Sequence, residues 1–357
     1  MKEVLIDIYK IKSLYSGLGQ YSINYANELM RQPSEEFNFF FLIPEKLQLE
    51  KIEFGNLKNF NSTKLDLQKR YFPGFNKPYD IWHSIQQFPS CFPNKKSQFI
   101  LTIHDLNFLI EKNEVKKLKY LKKLQENVDR ADYITTISDF TKKTIESHIN
   151  LRGKTIRTIY NGIMINPQGA SSKPGFVDDK KFFFSIGIFN KKKNFHALLP
   201  IMKHFKDYKL ILAGDNDTSY GEQVQQQIRN MNLEGQVILS GKISESEKIW
   251  LYSHCEAFLF PSLAEGFGMP VIEAMMFGKA VFISKFTSLP EIGGDSAFYF
   301  DNFDEEYMSL FIQKELSYYK DNQEILSEQI REHAKKFSWQ TCITQYLNLY
   351  HTISHKY

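Results

Sequence analysis

The chain has 357 residues, 42% of them hydrophobic and 24% charged, and its formal net charge is +4. This length and composition are typical of a soluble globular protein with two domains. A charge this small, without a motif of basic and aromatic residues, excludes a nucleic-acid partner. The cysteines Cys91, Cys255 and Cys342 are far apart in the sequence and predict neither a disulfide framework nor a metal site. The N-terminus is too short and too charged for a signal peptide, and no apolar run reaches about 18 residues, so we expect a cytoplasmic protein.

The first predicted motif is a strand, a glycine loop and a helix. Residues 4–8 are apolar enough for a buried strand, Gly17 and Gly19 follow it, and the next segment has apolar residues at helical spacing. Such a loop lies at the carboxyl end of a parallel strand, where open α/β sheets bind ligands. A lone G-x-G is a weak signal by itself, because a plain tight turn would also use Gly17 and Gly19.

The rest of the first half contains further strands, one of which ends in a polar pair. Residues 45–78 are rich in Asn, Lys and Phe, and we expect them to be irregular. His104 and Asp105 follow the strand 99–103, so the histidine points toward the ligand edge of the sheet. Ser138 is expected to cap the helix after the strand 131–137. The strands are predicted over 37–43, 80–84, 99–103, 131–137 and 155–160.

A lysine-rich helix is predicted over residues 112–128. Its apolar residues recur at helical spacing, and its lysines are Lys112, Lys116, Lys117, Lys119, Lys122 and Lys123. Two interpretations stay open at this point. A basic amphipathic helix can lie on an anionic membrane surface. Alternatively, the lysines form a solvated face above ordinary core contacts, and we favour this second interpretation.

The second half repeats the alternation of strands and helices after a predicted linker. The linker covers residues 167–180, which are rich in Pro, Gly, Ser and Lys. The first strand of this half ends in a loop that contains Lys192 and Lys193, and a later strand ends near Gly241. The strands are predicted over 182–186, 208–213, 237–239, 257–260 and 280–284.

The most informative stretch lies between the last two of these strands. The loop 261–269 contains Gly266 and Gly268, which let the backbone approach a ligand closely. A helix is expected to begin at Pro270, and its free N–H groups favour phosphate. Glu265 lies in the loop and Glu273 in the expected first turn of the helix, where two carboxylates could accept sugar or ribose hydroxyls. A glutamate in a first turn also simply complements the helix dipole.

The residues of this stretch resemble a known family. The string Glu265-Gly-Phe-Gly-x-Pro-x-x-Glu273-Ala resembles the E-x7-E signature of the retaining family 4 glycosyltransferases. The run 288–301 is similar to the subgroup that includes mannosyltransferases of bacterial surface polysaccharide synthesis. The resemblance implies the GT-B fold, in which two Rossmann-like domains face each other across a cleft. It also implies that Glu265 faces the donor sugar and Glu273 the nucleotide ribose.

Other positions match the same family. The T-I-H-D-L run matches its H-D motif, which implies that His104 contacts the donor sugar near the reacting carbon. The family's G-x-x-x-x-R-K-N pattern implies that Lys193 neutralises the donor diphosphate. Lys192 replaces the arginine of that pattern and supplies charge without a bidentate fork. The implied catalytic residues are His104 and Glu265. The implied donor-binding residues are Gly17, Gly19, Lys192, Lys193, Gly241, Gly266, Phe267, Gly268 and Glu273.

The resemblance implies a retaining transferase that moves a hexose from a nucleotide diphosphate sugar to a hydroxyl of a glycan or lipid-linked glycan. Mannose from GDP-mannose is favoured, no cofactor is expected, and peripheral contact with the inner membrane face stays open. The domains are predicted over 1–166 and 181–337, and the helix 338–357 is implied to pack back on the first. Two other functions stay open: a GT-B sugar-nucleotide 2-epimerase and a non-catalytic module that binds nucleotide sugars.

One motif resembles a metal-binding site, but we expect no metal ion. Asp215-Asn216-Asp217 looks like the D-x-D of metal-dependent glycosyltransferases. Lys192, Lys193 and the helix N-terminus already supply the positive charge that a metal ion would bring. We therefore interpret the triplet as an ordinary loop before a helix.

Overall fold

The structure, a computed structural model, describes residues 1–13, 16–32, 34–45, 61–66, 74 and 76–355. The chain divides into two units by its internal contacts. The first unit is Met1–Met164 together with Phe337–Tyr357, and the second is Ile165–Lys336. The stretch predicted as a linker lies in the second unit, where the Ser172 N–H donates to the Ser246 carbonyl at 3.2 Å.

The described part of the first unit contains a parallel sheet of seven strands in the order β3-β2-β1-β4-β5-β6-β7. Strand β3 falls within 45–78, so the prediction that this region is irregular is wrong for 61–65. The reason is that Asn61-Ser-Thr-Lys-Leu is a mostly exposed edge strand without an apolar run to reveal it. Residues 46–60, 67–73 and 75 of the same region lie outside the described residues. The strands are β1 Lys2–Asp7, β2 Phe37–Pro44, β3 Asn61–Leu65, β4 Ile81–Ser84, β5 Gln98–Ile103, β6 Tyr133–Thr136 and β7 Ile156–Thr158.

Side-chain caps begin the helices of the first unit where the sequence offers them. Ser16 accepts from the Gly19 N–H at 3.1 Å, and Asn113 accepts from the Lys116 N–H at 3.1 Å. Ser138 accepts from the Thr141 N–H at 3.2 Å, which confirms the predicted cap. These helices are α1 Gly17–Arg31, α2 Phe108–Glu111, α3 Glu114–Arg130 and α4 Asp139–His148.

Within residues 165–336, which are all described, a parallel sheet of six strands has the order β10-β9-β8-β11-β12-β13. This is the doubly wound order of a dinucleotide-binding sheet, in which ligands bind at the carboxyl ends of the strands where the order reverses. Here the reversal lies between β8 and β11. The strands are β8 Lys181–Ile186, β9 Tyr208–Ala213, β10 Val237–Gly241, β11 Ala257–Phe260, β12 Val281–Ser284 and β13 Phe298–Phe300.

The helix after β11 begins one residue earlier than predicted. It runs over Met269–Met276, with Gly268 as N-cap at φ +115°. Glu273 is therefore its fifth residue, and the prediction that Glu273 lies in the first turn is wrong. The helices of this unit are α5 Leu198–Ile201, α6 Ser219–Asn230, α7 Glu245–His254, α8 Met269–Met276, α9 Leu289–Gly293, α10 Glu305–Asp321 and α11 Gln323–Lys335.

The last helix, α12 (Trp339–Ser354), packs on the first unit. Its residues Trp339, Tyr346 and Tyr350 belong to one buried cluster with Val4 of β1 and Tyr25 of α1. The cluster closes one face of the seven-stranded sheet. Among the described residues, no helix combines the length and apolar character needed to cross a membrane.

A buried chain of hydrogen bonds joins α12 to the sheet. The Tyr350 hydroxyl lies 2.6 Å from His83 Nδ1 and 2.6 Å from the Tyr25 hydroxyl. His83 Nε2 lies 2.7 Å from Thr102 Oγ1, and this oxygen lies 2.7 Å from Thr135 Oγ1. Burial lowers the pKa of His83 to about 3, so this chain of hydrogen bonds carries no charge at neutral pH.

Candidate functional site

The carboxyl edge of the second sheet is built from loops that pack through their backbones. The Gly187 N–H donates to the Ala213 carbonyl at 3.0 Å, and the Gly214 N–H donates to the Gly241 carbonyl at 2.8 Å. Gly214 has φ +124°, and a Cβ there would lie 2.0 Å from the Gly187 carbonyl oxygen. The loops after β8, β9 and β10 therefore form one continuous edge, and only glycine fits at position 214.

The loop after β8 turns Lys193 inward. The Asn190 side chain accepts from the Lys193 N–H at 3.3 Å, and Asn194 ends the turn in the left-handed region at φ +54°. Lys193 is only 8% exposed, and its Nζ donates to Glu265 Oε1 at 2.6 Å. The same ammonium lies 4.6 Å from the centroid of the Phe260 ring, which adds a cation–π contact. The structure thus brings together two predicted site residues 72 positions apart.

Several hydroxyl side chains that sequence reasoning missed hold the Glu265 loop. Ser262 Oγ donates to Glu265 Oε1 at 2.6 Å, and the Glu265 N–H donates to Thr287 Oγ1 at 2.9 Å. Ser288 Oγ donates to the carbonyls of Glu265 and Phe267 at 3.0 and 2.8 Å. Each of these residues follows a strand end closely, which is the signal that could have identified them.

The Glu265 loop is also fastened to the lysine turn. The Leu263 N–H and the Ser262 hydroxyl both donate to the Lys192 carbonyl, at 2.6 and 3.1 Å. Lys192 lies beside Lys193 and is only partly buried. These hydrogen bonds join the two loops next to Lys193 and so help to orient it toward Glu265.

The loop continues into the N-terminus of α8. Gly268 has a left-handed backbone, and a Cβ there would lie 2.8 Å from Leu289 Cδ2. Phe267 is 4% exposed, so its side chain supports the loop from inside. Gly266 lies between Glu265 and Phe267. Gly268 thus allows the close packing that brings the loop into the start of the helix.

Glu273 is held by the neighbouring helix α7. Its Oε1 accepts from Lys248 Nζ at 3.2 Å, and its Oε2 accepts from the Tyr252 hydroxyl at 2.9 Å. Burial opposes the charge of Lys248, but the Glu273 and Glu245 carboxylates outweigh it and raise the Lys248 pKa. Burial and the Glu273 carboxylate raise the pKa of Tyr252 well above its usual value. Glu273 is therefore a fixed carboxylate with lone pairs left for further donors.

The Asp215-Asn216-Asp217 triplet, which we interpret as an ordinary loop, is paired with a cation. Asp215 lies 2.9 Å from Lys242 Nζ, and this hydrogen bond is the main cause that lowers the Asp215 pKa. The Asp217 N–H donates to Asp215 Oδ1 at 3.4 Å, in the manner of a loop that turns on its own aspartate.

In the first unit, His104 follows β5 and has a defined tautomer. Its Nε2 lies 2.8 Å from the Ile85 carbonyl, and the ring edge packs on Tyr21 with centroids 4.7 Å apart. Because a carbonyl only accepts, Nε2 carries the proton and Nδ1 is the acceptor. Burial lowers the pKa of His104 to about 4, so this neutral form persists at neutral pH. Tyr21 lies on α1, the helix that contains the candidates Gly17 and Gly19.

The segment that holds His104 depends on residues that the sequence did not reveal. Gln87 accepts from the His104 N–H at 3.2 Å and donates to the Asp105 carbonyl at 3.1 Å. Asn127 of α3 donates to the Gln87 carbonyl at 2.8 Å. Asp7, at the end of β1, accepts from the Ser90 N–H at 3.0 Å, and burial raises its pKa despite such donors. The position of Asp7 and Gln87 near strand ends is again the sequence signal that could have identified them.

Comparisons with known proteins agree with this arrangement. Residues 169–337 match the family described as glycosyl transferases group 1. The chain is 27% identical over 372 aligned residues to O-antigen chain mannosyltransferase B of Escherichia coli, covering 95% of this chain and 97% of that protein. It is 28% identical over 211 residues to O-antigen chain mannosyltransferase RfbU of Salmonella typhimurium, covering 58% and 57% of the two chains.

Solved structures share the fold. Sucrose-phosphate synthase from Thermosynechococcus elongatus superposes with a TM-score of 0.78 at 15% identity, covering 99% of both chains. Anabaena HepE, solved in complex with UDP and glucose, gives a TM-score of 0.74 at 17% identity, covering 99% of this chain and 100% of that chain. At such identities the likeness concerns the fold, which is the GT-B fold predicted from the sequence.

Proposed function

We propose that this chain, which matches the group 1 glycosyltransferases over residues 169–337, is a retaining enzyme that moves mannose from GDP-mannose to a hydroxyl of a glycan or lipid-linked glycan acceptor. Glycosyl transfer is supported by this match. The choice of mannose is supported by relatives that are named mannosyltransferases of the O-antigen chain. Surface polysaccharide synthesis is the process in which such an enzyme would act.

The ion pair between Lys193 and Glu265 is the observation that carries the proposal. Their side chains are 10% and 12% exposed, so the two charges are only slightly screened by water. A diphosphate at the sheet edge would share the Lys193 ammonium, which then opposes the charge that develops on the leaving group. Glu265 would in turn accept a hydroxyl of the transferred sugar. The N–H groups at the start of α8 would supply further donors to phosphate.

His104 is proposed to contact the donor sugar. Its Nε2 proton is committed to the Ile85 carbonyl, so Nδ1 can accept a hydrogen bond from a sugar hydroxyl. The lowered pKa keeps this atom unprotonated through the physiological range. Glu273 is proposed to accept from the ribose hydroxyls, while Lys248 and Tyr252 fix its orientation.

We expect transfer to proceed without a divalent metal ion. A hard cation needs several converging oxygen ligands, and Asp215 is occupied by the Lys242 ammonium. Positive charge at the diphosphate would come from Lys193, from Lys192 and from the N-terminus of α8.

The surface of α3 supports a membrane partner rather than the interpretation favoured from the sequence, because two of its apolar residues do not reach the core. Val115 and Leu118 are 79% and 66% exposed, and the exposed Lys119 and Lys122 lie on the same face at helical spacing. Apolar side chains among lysines suit an anionic lipid surface better than water. We therefore expect binding to vesicles with anionic lipid, and weaker binding after Val115→Ser with Leu118→Ser. Equal binding to neutral vesicles would contradict this partner.

The transfer reaction is tested directly with purified protein. GDP-mannose and competing UDP-sugars are each incubated with an oligosaccharide acceptor in excess EDTA, and NMR gives the anomeric configuration of the first product. We expect mannose transfer with retained configuration and no loss in EDTA. Inversion, or activity only after a divalent metal is restored, would contradict the proposal. Epimerised donor without transfer would instead indicate a 2-epimerase, and donor binding without any turnover a non-catalytic module.

A further inference from the structure

A cluster of potential metal ligands lies where the last helix meets the start of β2. His351 lies in the last turn of α12, His355 is the C-cap residue four positions further on, and Glu36 immediately precedes β2. One ligand atom from each of the three residues can be chosen so that all lie within 4.8 Å of one another. None of these residues belongs to the proposed donor site.

The distances suit a tetrahedral ion. His351 Nε2 lies 3.8 Å from Glu36 Oε2, and His355 Nδ1 lies 3.5 Å from Glu36 Oε1. Ligand atoms of a tetrahedral zinc site are about 3.3 Å apart, because bonds of about 2.0–2.1 Å meet at the tetrahedral angle. Small rotations of the side chains would therefore bring three ligands onto one ion, with water as the fourth.

The backbone of the cluster is already fixed. The Glu36 carbonyl accepts from the Lys2 N–H at 2.8 Å, and Ile353, between the two histidines, is buried in the core. Both imidazoles are about 60% exposed and can turn at little cost. His355 Nδ1 donates to the His351 carbonyl at 2.9 Å, so this nitrogen binds an ion once its proton has moved to Nε2. The carbonyl also accepts from the His355 N–H at 3.2 Å and stays bonded if the ring turns.

Glu36 has an enclosed carboxylate oxygen that a cation could pair with. Its Oε1 is enclosed and has no hydrogen-bond partner among the described residues, and such a carboxylate oxygen is costly to leave unpaired. Two protonated histidines would be poor partners, because their rings stack at 4.1 Å and their charges would repel. A single divalent ion bound to neutral imidazoles gives the carboxylate its counter-charge without that repulsion.

We propose that Glu36, His351 and His355 form a binding site for a divalent transition-metal ion, with Zn²⁺ as the expected ligand. Two imidazole nitrogens with one carboxylate oxygen are a donor set that zinc takes readily. The ion would fasten the last turn of α12 to the edge of β2. Because an ion that binds the native state stabilises it, zinc would protect the first unit against unfolding.

The test uses the full chain without a polyhistidine tag, freed of metal with a chelator and titrated with Zn²⁺ by calorimetry. We expect one equivalent to bind and to raise the Tm. His351→Ala and His355→Ala should each weaken zinc binding by at least about tenfold and abolish the rise in Tm. Glu36→Gln should weaken binding and retain the fold.

His148→Ala is the matched control. His148 is an exposed histidine on α4, and its Nδ1 lies 2.8 Å from the carbonyl of Thr144, four residues earlier. His355 Nδ1 contacts the carbonyl of His351 in the same way. This variant should bind zinc as tightly as the unaltered chain. Equal affinity in all four variants, or no heat and no Tm change at saturating zinc, would overturn the proposal.

Discussion

The carboxyl edge of the second sheet and the core of the first unit bury polar groups in contrasting ways. At the edge, Lys193 and Glu265 bring opposite charges together between two loops. In the core, His83, Thr102 and Tyr350 form a neutral chain of hydrogen bonds. A charged pair at a sheet edge can exchange a partner for a charged ligand, whereas an enclosed neutral chain cannot. We therefore assign ligand chemistry to the first group and structural support to the second.

The largest expected effect on turnover is that of substituting Glu265, the acidic residue of the charged pair. Glu265→Gln retains the shape of the side chain but removes the charge that orients Lys193 and accepts a sugar hydroxyl. We expect turnover to fall by about 10²–10³-fold, as for other losses of a preorganised electrostatic contact. The free energy of unfolding should change little by comparison. Glu222→Gln, an exposed glutamate in the first turn of α6, is the control and should retain full turnover.

Acid should weaken the first unit through its two buried histidines. Burial lowers the pKa of His83 to about 3 and of His104 to about 4, so the unfolded chain binds protons first as the pH falls. Their contribution to stability is complete above the unfolded pKa of about 6.5 and declines below it, by about 2 kcal/mol for each histidine between pH 7.5 and 5. The raised pKa of Asp7 acts in the opposite direction, because the folded chain takes up that proton before the unfolded chain does.

Fluorescence can follow this transition in the first unit alone. Of the three tryptophans, Trp82 and Trp339 lie in the first unit and Trp250 in the second. Urea unfolding of Trp250→Phe protein at several pH values therefore reports on the first unit. An unfolding free energy that does not fall between pH 7.5 and 5 would contradict the neutral, buried state of His83 and His104.

Removing one hydroxyl should reveal the structural role of the neutral chain. Tyr350→Phe keeps the ring in the core but leaves His83 Nδ1 and the Tyr25 hydroxyl without this partner. We expect a loss of about 1–3 kcal/mol in the unfolding free energy of the first unit. Turnover per folded molecule should be unchanged. A large loss of turnover at full stability would show that the contrast between the two regions is wrong.

The smallest effect is expected for the ribose contact. Glu273→Gln should weaken binding of free GDP by roughly tenfold, or about 1.4 kcal/mol, because a charged acceptor becomes a neutral one. The amide oxygen can still accept from Lys248 and the amide NH2 group can donate to the Tyr252 hydroxyl oxygen, so the fold should persist. Calorimetric titration with GDP measures the effect. Equal affinity for GDP in the two proteins would refute the ribose assignment.

The sequence predicted those parts of the molecule that depend on local patterns. Short apolar runs that end in glycine predict parallel strands with loops at the ligand edge. The G-x-x-x-x-K-K-N and E-G-F-G strings singled out Lys193 and Glu265, which the structure brings into contact. The edge strand β3 escaped because its residues are polar. The start of α8 was displaced by one residue because Gly268, rather than Met269, takes the left-handed N-cap conformation.

Contacts between distant residues could not be predicted from one sequence. Tyr25 and Tyr350 are 325 positions apart, and neither position is marked by a motif. The same holds for Gln87, which positions His104 from the end of a neighbouring strand. Such pairs depend on which helix face meets which strand, and that is decided only when the whole sheet assembles.

The proposed role of Lys193 at the diphosphate is tested most directly by comparing the turnover of Lys193→Ala with that of Lys191→Ala. The two lysines belong to the same short turn, but Lys191 is exposed whereas Lys193 bonds to Glu265. We expect Lys193→Ala to lower turnover with GDP-mannose by about 10²–10³-fold. The turnover of Lys191→Ala should stay close to that of the unaltered enzyme. Near-normal turnover of Lys193→Ala, or equal losses in the two variants, would contradict the assignment of the diphosphate charge to Lys193.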